Sequence, residues 1–448
     1  MSERGQFVTR LGAIAAAVGS AVGLGNICKF PCEAGSNGGG AFLLIYLACV
    51  VLLGIPVMVA EFVIGRSTRS NVSGALKQLA PRINLRFLPW LWIVASLMIL
   101  SFYSVICGWI VEYLTQAVAG TLQTMPDGGN YHERFSLYIS NPWRNTIWTI
   151  VFLLVNALVL MGGVKKGIER VANVMMPLLF LILIIFAVNS LLMPRSGEGL
   201  RFLFSPDFSK VTPRMVIDAM GQAFFSLSLG LSCLLTYASY FKKEDRLVRN
   251  ATVIALLDTL VAVLAGIVIF PAVFTYGLRP EAGMTLLFEV MPSIFNQMAG
   301  GYIWSILFFV LLFFASLTST ISMSEISITF FTEEYGMSRR RAVVINTAVA
   351  IVFGVLCGLS FSVLRDVTLF EMTLFDLFDY VSSNLLLPLG GIFFSIFIGW
   401  VVDKHLVARE LTNDGTVTPR VHHAIIFLLR WVAPLAITLV FVYGIFFN

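Results

Sequence analysis

The chain has 448 residues, of which 58% are hydrophobic and only 12% are charged, with a formal net charge of +5. That balance excludes an ordinary water-soluble domain. The small positive excess needs no nucleic acid to explain it, because it resides mostly in the loops between apolar segments.

In chain order, the opening decapeptide MSERGQFVTR is polar, and no small-residue cleavage site follows a short apolar core, so the first apolar stretch is expected to stay in the membrane. Eleven segments are long and apolar enough to cross a bilayer as helices. They fall at about 11–34, 40–65, 88–122, 146–161, 168–193, 214–240, 247–277, 302–332, 341–360, 373–402 and 423–447. One polytopic domain, residues 1–448, is expected. With the N-terminus inside, the cytoplasmic segments hold 20 Lys and Arg and the opposite loops hold 8. The positive-inside rule then places the N-terminus in the cytoplasm. An odd number of spans places the C-terminus outside.

Span one contains AAAVGSAVGLGNICKFP, with glycines, an asparagine, a lysine and a proline where a membrane helix should be uniformly apolar. A helix that loses hydrogen bonds at that depth survives only where the freed backbone is buried in protein or lines a cavity. Freed carbonyls bind cations, and freed N–H groups with a half-helix N-terminus bind anions. Close packing through small residues is the alternative for this span alone. Span six raises the weight of the first reading. It too is interrupted by small and hydroxyl residues, at Ser226, Ser228, Gly230 and Ser232. Spans one and six are corresponding members of two five-helix halves, about 11–193 and 214–402, with 423–447 as an additional helix. Interrupted helices at matching positions point to an inverted-repeat transporter.

Polar groups elsewhere converge on the same depth. Asp258 lies deep in span seven, where a charge is costly and therefore a functional expectation. Span eight carries hydroxyls in ASLTSTIS, although Ser and Thr often only bond back to their own helix. Tyr103 on span three is either a packing aromatic or a hydroxyl aimed at a carboxylate. Glu61 on span two is either a proton relay or an acceptor for the freed amides of span six; the second is preferred, since a buried carboxylate needs donors. All six cysteines lie in apolar spans without a CxxC, the histidines show no metal spacing, and no nucleophile–base pairing suggests an enzyme.

These residues resemble the neurotransmitter:sodium symporters, also called sodium- and chloride-dependent transporters. GSAVGLGNICKFP and NGGGAFLLIY in spans one and two, then GIPVMVAEFVIGR, FFSLSLGLSCLLTYASY and FFASLTSTIS, agree in order and spacing. Eleven spans resemble the bacterial branch, which implies a bacterial cell membrane. The resemblance implies an all-α fold with a 5+5 inverted-repeat core and unwound helices 1 and 6. It also implies two sodium sites. One would use Ala21, Asn26, Ser226 and Asp258, with the substrate carboxylate. The other would use carbonyls of Gly19, Val22 and Ala315 and hydroxyls of Thr318 and Ser319. The substrate carboxylate would meet the amides of Leu24 and Gly25 and the hydroxyl of Tyr103, and its ammonium would meet Ala21, Phe225, Ser226 and Ser228. Ile99, Phe225, Leu231, Ser319 and Met323 would line the side-chain pocket.

Monoamine members of the family carry an acid where this chain has Gly23, so the resemblance implies an amino-acid substrate with a hydrophobic or aromatic side chain. Asp258, at a position often Asn, implies a fixed charge in place of chloride. An outer gate is implied at Lys29 and Asp379, with Tyr103 and Phe225 as its lid, and an inner gate at Arg4, Phe7 and Glu333. Lys29 departs from the usual Arg, and Cys28 and Cys32 replace aromatics. The resulting expectation is sodium-coupled import of an amino acid, with the lipid bilayer and a small molecule as partners and no nucleic acid. A sodium-dependent amino-acid sensor is the alternative. A channel is disfavoured because the polar groups cluster at mid-depth between apolar runs.

Overall fold

A chain this apolar has little choice of architecture: each backbone N–H must be satisfied within its own segment, and helices do so. The computed structural model describes residues 7–123, 131–277, 286–415 and 419–446. Within them every extended element is helical, apart from an isolated bridge between Leu369 and Met372.

Among the described residues nine helices are continuous, long and apolar enough to cross a membrane: Gly40–Thr68, Pro89–Val118, Pro142–Met161, Val164–Leu191, Leu247–Thr275, Gly301–Glu334, Arg339–Leu359, Leu374–Val401 and Val421–Ile445. They correspond to spans two to five and seven to eleven. Spans three and eight form the centre, 83% and 72% buried over their most apolar windows, and span eleven lies at the edge at 22%.

Span one is a bent pair, Arg10–Ala21 and Gly25–Ser36, turned by 52°. Its first half starts on Thr9, whose side chain accepts from Gly12 N. It stops at Val22, where the backbone turns extended at φ −68° and ψ 111°. The second half resumes with a wide π turn at Gly25–Lys29, and Pro31 is tolerated because it lies at the start of the following Phe30–Ser36 helix.

Span six, expected within 214–240 with an interruption, is broken there. It is two short helices, Pro213–Ser226 of 14 residues and Cys233–Ala238 of 6, neither long enough to cross alone. Between them Ser228, Gly230 and Ser232 all have left-handed backbone, with φ of 52°, 78° and 63°. Glycine adopts that conformation freely and serine does so at a cost. Glu61 satisfies the exposed amides: it accepts from Gly230 N at 2.8 Å and Leu235 N at 3.2 Å while fully buried. The Trp92 indole N–H satisfies the Gly230 carbonyl at 2.9 Å.

Span five begins with a π turn, Val164–Glu169, and contains Pro177. A Cβ at Gly167 would lie 2.1 Å from the Val159 carbonyl oxygen, so close backbone approach requires a glycine there.

Candidate functional site

The two interruptions face each other. Asn26 in the second half of span one donates its Nδ2 to Ser226 Oγ at 2.8 Å and to Asp258 Oδ1 at 2.7 Å. Ser226 closes the triangle by donating to Asp258 Oδ2 at 2.6 Å. Tyr46 adds its hydroxyl to Ser226 at 3.4 Å. Asn26 Oδ1 accepts from Gly23 N at 3.0 Å, which braces the unwound segment. Asn26, Asp258 and Ser226 are all buried to within 1%. Asp258 is therefore a buried carboxylate met only by neutral donors, with no ion pair among the described residues. Such a charge calls for a cation. The side chains that meet it are the Ser226 hydroxyl and the Asn26 amide, oxygen-bearing groups that with the carboxylate could hold a hard cation.

A second oxygen cluster lies where the first half of span one touches span eight. Ser319 donates to the Val22 carbonyl at 3.2 Å, and Thr318 donates to the Ala315 carbonyl at 3.2 Å. The approach is close: a Cβ on Gly19 would sit 3.1 Å from Thr318 Cβ. These contacts bring Gly19, Val22, Ala315, Thr318 and Ser319 together as buried residues, none of them charged, and the two hydroxyls with the Val22 and Ala315 carbonyls could hold a hard cation.

Between these clusters lies a small cavity of about 30 Å³. Its polar wall is the broken strand of span one at Ala21, Gly23 and Gly25, with Tyr103, Ser228 and Ser319. Its apolar wall comes from Ile99, Phe225, Leu231, Met323 and Leu387. Of the twelve residues expected around a substrate, Leu24 and Ser226 do not line it. Leu24 contributes its N–H, which donates to Tyr103 Oη at 3.0 Å, and Ser226 is turned into the carboxylate cluster. Ser228 is tied to span one by donating to the Ser20 carbonyl at 3.0 Å. Gly23 has no room for a side chain: a Cβ would lie 2.6 Å from Ser319 Oγ and 3.0 Å from Tyr103 Oη.

Outside this cavity is a larger one of about 630 Å³, bounded by Lys29, Glu33, Arg214, Asp218, Asp379 and Phe225 among others. Phe225 and Leu387 belong to both linings, so together they form the partition. The expected Lys29–Asp379 pair lines this vestibule without closing it. The Lys29 ammonium lies over the Phe225 ring, 4.4 Å from its centroid, while Asp379 accepts from Ser383 at 2.8 Å. A single ammonium on a flexible stem lacks the fork that would span to the carboxylate, and the aromatic face holds it instead.

On the other side, Arg4 lies outside the described residues. Phe7 is buried edge-on against Tyr237 and Tyr240, at 6.0 and 5.8 Å. Glu333 accepts from the Asn71 backbone and side-chain amides at 2.8 and 2.9 Å, at the start of a short helix, Val72–Leu79.

Several participants escaped the sequence reading. Leu387 completes the apolar wall but looks like any other leucine of span ten. Gln222 donates to the Gly25 carbonyl at 2.7 Å, and its position one helical turn before Ser226 was a usable signal. Glu325 is fully buried, takes Arg339 at 2.8 and 2.6 Å, and accepts from Tyr240 at 2.8 Å. A glutamate inside the apolar run of span eight was also a signal.

Known proteins resemble the chain over almost its whole length. The profile of the Sodium:neurotransmitter symporter family matches residues 4–134 and 130–447. An uncharacterised sodium-dependent transporter of Bacillus subtilis, YhdH, is 41% identical over 97% of this chain and 96% of its own length. One from Haemophilus influenzae is 34% identical over 99% of both. Among solved structures, the crystal structure of MhsT in complex with L-phenylalanine superposes with a TM-score of 0.91 at 42% identity, covering 98% of this chain and 100% of that one.

Proposed function

The chain belongs to the sodium:neurotransmitter symporter family, and on that premise we propose that it imports a hydrophobic or aromatic L-amino acid, driven by sodium, through alternating access. The observation that carries this reading is the lining of the small cavity between the two oxygen clusters, which must widen to take a whole amino acid. One wall is broken backbone with the Tyr103 hydroxyl and the other is wholly apolar. The polar wall suits the carboxylate and ammonium of an amino acid, and the apolar wall admits no charged side chain. The MhsT structure with L-phenylalanine supports the same substrate class.

In this reading sodium site one consists of Ala21, Asn26, Ser226 and Asp258 with the substrate carboxylate. Sodium site two consists of Gly19, Val22, Ala315, Thr318 and Ser319. Sodium supplies the positive charge that makes joint burial of Asp258 and the substrate carboxylate tolerable, which couples the two binding events. Asp258 brings its own fixed charge, so chloride is not required. Phe225, with Lys29 on its outer face, and Tyr103 close the outer path. Arg4, Phe7 and Glu333 act on the inner side. The two halves of span six together make one crossing. The total is then eleven, arranged as repeats 11–193 and 214–402 plus span eleven, within a single domain of 1–448. The N-terminus faces the cytoplasm of a bacterial cell and the C-terminus faces outward.

The test is equilibrium binding of a panel of labelled amino acids to the purified protein in sodium and in potassium. Sodium-dependent binding of Phe, Tyr, Trp, Leu or Ile, with no binding of Lys, Asp or Gly, is the expected result. Preference for a charged or very small amino acid would overturn the pocket assignment.

A further inference from the structure

At the end of span ten, Trp400 meets Trp431 of span eleven edge to face, with ring centroids 5.0 Å apart. Both remain half exposed, at 55% and 51%. Half-exposed tryptophans mark the level where hydrocarbon gives way to headgroups. Beside them is a cavity of about 310 Å³ lined by Lys404, His422, His423 and Arg430, with no carboxylate in its lining among the described residues.

The arginine is held ready. Its Nε donates to the Gly399 carbonyl at 2.6 Å, and its guanidinium lies 5.7 Å from the Trp400 ring centroid. Gly399 permits this close approach, since a Cβ there would lie 3.0 Å from Arg430 Cγ. The two terminal nitrogens of Arg430 have no hydrogen-bond acceptor among the described residues. His422 Nδ1 is likewise buried without a partner there.

A second feature runs away from this cavity along span eleven. Phe427, Trp431, Leu435 and Leu439 recur at every fourth residue, so they form one stripe, and they are 59%, 51%, 70% and 55% exposed. The cavity offers donors and positive charge at headgroup level. The stripe offers an apolar track that descends from it. A phosphodiester is acceptor-only and anionic, and its acyl chains need such a track.

We propose that the cavity formed by Lys404, His422, His423 and Arg430 binds the phosphate of an anionic phospholipid of the inner leaflet, with its chains laid along the Phe427–Leu439 stripe. Arg430 and Lys404 supply the fixed charge. The two imidazoles supply donors, and the tryptophans set the depth. A lipid so placed bridges span ten and the peripheral span eleven.

The test is native mass spectrometry of the purified protein titrated with phosphatidylglycerol or with phosphatidylcholine of the same chains. Wild type should retain phosphatidylglycerol selectively. Lys404→Gln and Arg430→Gln should each weaken it about five-fold, as expected for one basic group at a membrane surface, and leave phosphatidylcholine unchanged. Should Arg430→Gln fail to fold through loss of the Gly399 contact, Lys404→Gln combined with His423→Gln carries the same expectation. Equal retention of the two lipids overturns the proposal, as does unchanged phosphatidylglycerol affinity in the variants. Inorganic phosphate that displaces the lipid at matching concentration would overturn the lipid assignment in favour of a free anion.

Discussion

Asp258 is fully buried, and its two oxygens are met by a serine and an asparagine rather than by a cation of the protein. In the proposed reading its carboxylate is part of the ion site. Asp258→Asn removes that charge, and the sodium dependence of uptake should shift to at least about ten-fold higher concentration, a change of ~1.4 kcal/mol. Replacing chloride by gluconate should leave wild-type uptake unchanged and should depress uptake in the variant. Chloride stimulation of the wild type would count against the fixed-charge reading. Gly23 makes an equally sharp case. Its Cβ position is already occupied by Ser319 and Tyr103. Gly23→Ala should weaken substrate binding by about ten-fold or more, the scale of an overpacked site, while thermal stability without substrate changes less. Binding isotherms and melting curves read the two separately. These residues were legible because a lone acid in an apolar run and a glycine in a broken one are conspicuous. Leu387 was not, since nothing in the sequence separates a leucine facing a cavity from one facing lipid.

Among the helices, the interruption of span six depends on Glu61. Its carboxylate takes both amides freed by the left-handed turn, and Glu61→Gln exchanges one acceptor oxygen for a donor facing an N–H. The expected cost is about 1–3 kcal/mol, read as a lower melting temperature in detergent. A glutamine variant as stable as wild type would argue against the cap. The breaks in spans one and six were visible from glycine and hydroxyl placement. How far span six is broken was not. Two serines with positive φ are unfavourable locally and persist only because Glu61 and Trp92, on other helices, satisfy the turn. The vestibule differed for a similar reason. Sequence resemblance paired Lys29 with Asp379, but the nearer aromatic face of Phe225 holds the ammonium.

At the scale of the whole molecule, the two interruptions, the two oxygen clusters and the small cavity between them form one buried unit near the central spans three and eight. The length and order of most spans followed from hydropathy alone, because lipid imposes helices on any apolar chain. The buried network of Glu325, Arg339 and Tyr240 did not, because it joins residues distant in sequence that hydropathy treats as isolated charges. The most direct test of sodium-coupled amino-acid import is accumulation of labelled L-phenylalanine in proteoliposomes with an inward sodium gradient or with potassium in its place. Accumulation above the outside concentration only with the sodium gradient, abolished by a sodium ionophore, is the predicted result. Sodium-dependent binding without accumulation would contradict transport, and accumulation indifferent to sodium would contradict the coupling.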